Sequence, residues 1–137
     1  MMDIIYKVEV TLDPDEFIDI LNRSTLGERR PVKDKNRIEQ MCVNANLILT
    51  ARLESKLIGI ARSVTEFVYC TYLSDLAVDE KYQHQGIGKR LIEETKKATP
   101  QATLILISAP AAIEYYPKIG MQRHEQCYIL KDVKELK

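Results

Sequence analysis

Apolar and polar residues follow two rhythms along this chain, one of period two and one of period 3.6, and the changes of rhythm mark its elements. Ile4 to Val10 reads as a first strand. Asp13-Pro14-Asp15-Glu16 then opens a helix, with Asp13 as N-cap, Pro14 at the first helical position and Glu16 three residues after the cap. Phe17, Ile20 and Leu21 recur at helical spacing, and the pattern ends near Arg23-Ser24. A connector through Pro31 leads to a second helix, about Asp34 to Asn44, with Ile38, Met41 and Cys42 on one side. Leu47 to Leu53 and Leu57 to Val64 predict a hairpin around Glu54-Ser55-Lys56. The next strand, Phe67 to Val78, is the longest. Gly86 and Gly88 interrupt the pattern; Lys89 to Thr99 then has helical spacing through Leu91, Ile92 and Thr95, and Pro100 stops it. Thr103 to Ser108 is nearly continuously apolar, as expected of a strand buried on both faces. Pro110 to Ile119 predicts a short helix, and Glu125 to Leu130 a final strand.

The order β-α-α-β-β-β-α-β-α-β predicts one α/β (α+β) domain over residues 1–137, a mixed sheet with helices on it. A chain of 137 residues buries roughly two-thirds of its unfolded surface, enough for a core without staples. Its 45% hydrophobic content excludes disorder. No apolar run approaches the ~20 residues of a membrane helix, and Met1 to Lys7 lacks the form of a signal peptide. Cys42, Cys70 and Cys127, odd in number and widely spaced, favour reduced thiols in a cytoplasm over a disulfide frame or a zinc site. The 20 basic and 20 acidic residues cancel, which argues against nucleic acid as a partner. The cancellation is nevertheless segmental. Residues 1–22 carry a net −5, and residues 23–37, with Arg23, Arg29, Arg30, Lys33, Lys35 and Arg37, a net +4.

Chemistry concentrates between Leu73 and Ile92, where a strand passes through a turn with two glycines into a helix. Such a turn lets several amide N–H groups converge, and the helix adds its unpaired N-terminal donors and positive dipole end, a site for phosphate. Lys89 and Arg90 add mobile positive charge. A Walker A loop is excluded, because Gln83 stands where its first glycine belongs and Arg90 where its hydroxyl belongs. A Rossmann fingerprint is excluded by Leu91 in place of its third glycine.

Gln83, Gly86 and Gly88 in this frame resemble the Gln/Arg-x-x-Gly-x-Gly/Ala loop of the GNAT acyl-CoA N-acyltransferase family. The preceding Leu76-Ala77-Val78-Asp79 resembles the end of that family's fourth strand, and Ala112 to Met121 resembles its Ala-x-x-x-Tyr-x-x-x-Gly-Phe block, with Tyr116 and Gly120 in register. The close resemblance covers about residues 47–121. It departs at Ala109, where the family often has Asn, at Pro117 inside the last helix, and at Met121 in place of Phe.

The resemblance implies the GNAT fold, in a small single-domain member of bacterial type, and attack of an amine on the thioester of acetyl-CoA with no metal. The implied cofactor contacts are Leu76, Ala77, Val78, Gln83, His84, Gln85, Gly86, Ile87, Gly88, Lys89, Arg90, Ser108 and Tyr116. An N–H of Leu76 or Val78 polarises the acyl carbonyl. Tyr116 is the general acid for the leaving thiolate, with Tyr115 as its neighbour and rival. For the base, Asp75 and Glu66 are the nearest carboxylates, and a water chain is the alternative. His84 reads as solvated or beside the phosphates, Cys70 as core, and Tyr69 and Tyr72 as core or pocket wall, with Tyr72 counted among the acceptor-binding residues beside Arg29 and Arg30. The basic stretch borders the acceptor region, where Arg29, Arg30 or Arg37 selects an acceptor with a carboxylate or phosphate; otherwise it is a solvated face. Partners are then a small-molecule or peptide amine and a second copy in a homodimer, with no membrane. The rival reading is a non-catalytic acyl-CoA-binding regulatory module of the same fold.

Overall fold

Five strands build one sheet whose spatial order follows the chain, β1 (Ile4–Val8), β2 (Leu47–Leu53), β3 (Lys56–Thr65), β4 (Cys70–Val78) and β5 (Thr103–Ile105). The first four pair antiparallel, and β5 lies parallel to β4. The computed structural model describes residues 3–137, which fall into two units, one up to Ile107 and one spanning Ser108–Lys137. The sheet belongs to the first.

Strand alternation sends buried residues to both faces. On one face α1 (Pro14–Arg23) and α2 (Lys35–Asn44) bury Phe17, Ile20, Leu21, Ile38 and Cys42 against Ile48, Ile60 and Ala77. On the other, α3 (Ile87–Ala98) buries Ile87 and Leu91 against Leu49, Ala51, Ile58 and Leu73. The approach of α3 is close: a Cβ on Gly59 would stand 3.1 Å from both Ile87 Cγ2 and Leu91 Cδ1. Asp13 caps α1 by accepting from the Asp15 amide at 3.3 Å, and Asp34 caps α2 by accepting from the Arg37 amide at 3.1 Å. Arg52 of β2 clasps Glu9 (Nε to Oε2, 2.7 Å) and Glu16 (Nη1 to Oε2, 2.8 Å), tying α1 to the sheet.

The predicted order holds through the last helix, α4 (Tyr115–Lys118), and four details differ. β4 begins at Cys70 because Glu66 Oε1 accepts from the Val68, Tyr69 and Cys70 amides, holding Glu66 to Tyr69 as a turn with Phe67 at φ 73°. β5 is short and half exposed, with Ile105 51% accessible, since it is the edge of the sheet; burial on both faces does not occur. The predicted Pro110–Ile119 helix divides into a 3₁₀ turn (Pro110–Ala112) and α4. Pro117 therefore lies in the first turn of α4, where no backbone N–H is required of it. Residues 125–130 form no strand: their composition suits one, but no strand of the same unit offers an edge to pair with among the described residues.

Candidate functional site

The turn between β4 and α3 is anchored from below. Asp79, 3% accessible, accepts from the Lys81 amide at 2.9 Å and from Arg23 Nη1 at 2.6 Å. Burial alone would raise its carboxyl; the amide and the guanidinium outweigh that and hold it below the usual carboxylate range. Gln83 Nε2 donates to the Val78 carbonyl at 2.9 Å, so its side chain buttresses the loop. The backbone then turns left-handed at His84 (φ 65°) and Gly86 (φ 84°), the latter the N-cap of α3. The first helical bond runs from the Arg90 amide to Gly86 O at 3.0 Å. Amides from His84 to Lys89 donate to no acceptor among the described residues, leaving a row of N–H groups at a helix N-terminus.

The two cations beside them differ. Lys89 is exposed and unpaired among the described residues. Arg90 donates Nε to Glu94 at 2.9 Å and lays its guanidinium over the Tyr6 ring, 4.7 Å from the centroid, so its charge is turned toward β1.

Next to this loop β4 outruns its neighbour. Pairing with β5 ends at Tyr72–Ile105, while pairing with β3 continues to Val78. The Asp79 amide bonds Ile58 O at 2.9 Å, and antiparallel alternation then aims the N–H groups of Leu76 and Val78 away from β3, toward the unpaired side.

A bulge interrupts β4 where Arg62 faces Asp75 and Ser63 faces Leu73, leaving Ser74 as the extra residue. Asp75 is fully buried, with Oδ1 accepting from Arg30 Nε and Oδ2 from Arg62 Nε. Arg30 Nη2 donates to Ser74 O at 2.9 Å, and Arg62 Nη2 to Ser74 Oγ at 3.1 Å. Asp75 thus faces two guanidiniums with both oxygens engaged. Glu66, the other carboxylate considered as a base, caps its turn with three amides, of Cys70, Tyr69 and Val68, which hold its pKa below the usual range. Asp75 is thus engaged through both oxygens, and Glu66 through Oε1. Tyr72 (36% accessible) lies beside the bulge, Tyr69 is exposed, and Cys70, expected in the core, is exposed at the start of β4. Arg29 and Arg37 are exposed, and neither guanidinium has a partner among the described residues.

Within the second unit, burial and then the neighbouring Tyr115 raise the Tyr116 pKa, keeping its phenol protonated. The two rings meet edge to face, centroids 5.2 Å apart. Ser108 Oγ donates to Ala109 O at 2.7 Å. Among the described residues no cluster of His, Cys, Asp or Glu has the makings of a metal site, and no helix is long and apolar enough to cross a membrane.

A family model described as an acetyltransferase (GNAT) domain matches residues 27–133. The chain belongs to the GNAT family. This GNAT chain is 32% identical over 72 residues to GCN5-related N-acetyltransferase 2, chloroplastic, of Arabidopsis thaliana. That match covers 50% of the chain and 28% of the relative, so the chain spans less than a third of that protein. Among solved structures, a GNAT-family acetyltransferase from Streptococcus pneumoniae TIGR4 aligns with a TM-score of 0.76 at 19% identity, over 95% of this chain and 100% of that one. Aminoglycoside N-acetyltransferase AAC(6')-Iy, solved with CoA, aligns with a TM-score of 0.73 at 12% identity, over 97% of each chain. At these identities the structural likeness is one of fold.

Sequence reasoning found the loop of this GNAT chain but missed Arg23, Arg62 and Ser74. Arg62 sits mid-strand, where an ionised side chain is rarely buried unless paired; that anomaly beside Asp75 was the available signal.

Proposed function

We propose that this GNAT chain transfers an acetyl group from acetyl-CoA to a primary amine of a small-molecule or protein acceptor, by direct attack in a ternary complex. The row of unspent amides from His84 to Lys89 carries the reading, because it suits a diphosphate and nothing within the described residues uses it. Lys89 supplies mobile charge there, and the free N–H of Leu76 or Val78 polarises the acyl carbonyl. When bound, acetyl-CoA supplies an activated acyl group. In the proposed transfer the amine nitrogen would bond to the carbonyl carbon as the C–S bond breaks; Tyr116, whose raised pKa keeps its proton on at neutral pH, would protonate the leaving thiolate, and the second proton shed by the nitrogen would return through water to restore Tyr116. A lysine-like amine of pKa ~10.4 must lose its proton first, a cost of about 4 kcal/mol at neutral pH. With Asp75 and Glu66 both engaged, water takes that proton. A cytoplasmic setting accords with the free thiols Cys42, Cys70 and Cys127.

Calorimetric titration with acetyl-CoA, followed by thiol release across an amine panel, tests the reading. Binding with amine-dependent release is expected. Binding without release for any amine returns the non-catalytic acyl-CoA module.

A further inference from the structure

The cluster at the β4 bulge holds one carboxylate and two guanidiniums. Arg30 and Arg62 share Asp75, and no other carboxylate among the described residues reaches either of them. One positive charge is left over in a largely buried place, and burying a charge without its counter-ion is costly. The surplus is not spread evenly. Arg62, 8% accessible, is enclosed: Nη1 donates to Met41 O at 3.2 Å and Nη2 to Ser74 Oγ at 3.1 Å, with the Phe17 ring 5.8 Å from its guanidinium. Arg30, with a side chain 22% accessible, is the member that meets solvent. It donates Nε to Asp75, Nη2 to Ser74 O and Nη1 to Arg29 O. A guanidinium has five N–H groups, so two of those on Arg30 remain unspent, in a plane fixed by three anchors.

These groups lie where the bulge releases Ser74 O from the ladder, two residues before Leu76, on the strand whose outer edge is free. Arg29, exposed and unpaired among the described residues, adjoins them.

We infer that the amine acceptor carries an oxyanionic group, a carboxylate or a phosphate, bound by Arg30, and that Asp75 is a positioning residue that sets the plane of that guanidinium. The inference rests on the transfer reading for its word acceptor. The binding site itself stands on the uncompensated charge and the unspent fork.

The test compares matched compounds on the full chain: β-alanine with its amide for the carboxylate arm, and phosphoethanolamine with ethanolamine for the phosphate arm. Expected is a kcat/KM at least tenfold higher for the anionic member of one pair, collapsing toward equality in Arg30→Lys, which keeps charge but loses the fork. Equal rates within both pairs in the unaltered protein overturn the inference while leaving acetyl transfer intact, whatever the variant's folding. If no compound is turned over, titration into the CoA-saturated protein decides. Binding of an anionic member alone upholds the site and sinks the transfer reading; binding of neither member of either pair sinks the site too.

Discussion

Arg23 Nη1 lies 2.6 Å from Oδ2 of Asp79, while its Nη2 lies 2.6 Å from the Leu57 carbonyl. The last turn of α1 thereby grips the residue at which β4 passes into the glycine-containing loop before α3. The Asp79 side chain is only 4% accessible, so removing its charge leaves the Arg23 guanidinium with the exposed Asp19 as its one remaining counter-ion. Asp79→Asn is expected to destabilise the fold by about 3 kcal/mol in urea unfolding at pH 7. The pH dependence has a definite sign. The Asp79 carboxyl is depressed in the folded state, so its contribution is present above the unfolded value near ~3.9 and vanishes as pH falls through the lower folded value. Stability of the unaltered protein should fall more steeply below about pH 4 than that of Asp79→Asn.

Gly86 caps α3 at φ 84°, and a Cβ there would meet nothing within 4 Å. Space is ample, so the backbone angle alone sets the cost. Gly86→Ala is expected to lose about 1 kcal/mol of stability. As the loop relaxes, CoA affinity should also drop at least tenfold by calorimetry. Full affinity in this variant would detach the left-handed turn from the phosphate site.

The raised pKa of Tyr116 keeps its phenol protonated through the assayable range. Under the proposed transfer, Tyr116→Phe should lower kcat at least tenfold with little change in acetyl-CoA binding, and the unaltered protein should show no alkaline loss of kcat below about pH 10. Tyr115→Phe serves as the control with near-normal turnover.

Cys42 is 5% accessible, and burial pushes its thiol up to about 11, whereas Cys70 and Cys127 are exposed. A thiol-disulfide dye at pH 8 should titrate two thiols in the native protein and the third only on unfolding. Prompt reaction of all three would show that the packing of α2 on the sheet opens readily.

Strong periodicity made most of the fold legible: Phe17, Ile20 and Leu21 sit on the buried stripe of α1, and the hairpin turns at Glu54–Ser55. The segments at 103–108 and 125–130 were less legible, because an apolar run records what a strand would bury and not whether a partner edge exists. The same division runs through the site. The glycine spacing announced the amide row, since local backbone geometry is written locally. The partners of Asp75 come from 45 and 13 residues away, so a carboxylate that looked available for proton transfer is held by ion pairs that no local pattern displays. Arg90, expected beside the phosphates, likewise lies over Tyr6, a contact from far upstream that no local pattern displays.

The stretch of β4 beyond Tyr72 has a further consequence for the chain as a solute. Free ladder groups accept a strand of another molecule as readily as a ligand, and exposed strand edges are where soluble proteins begin to aggregate. Whatever occupies that edge also shields it. Shelf life and precipitation on heating should therefore track occupancy by mass action, making the solubility of the protein a property of its ligand supply as well as of its sequence.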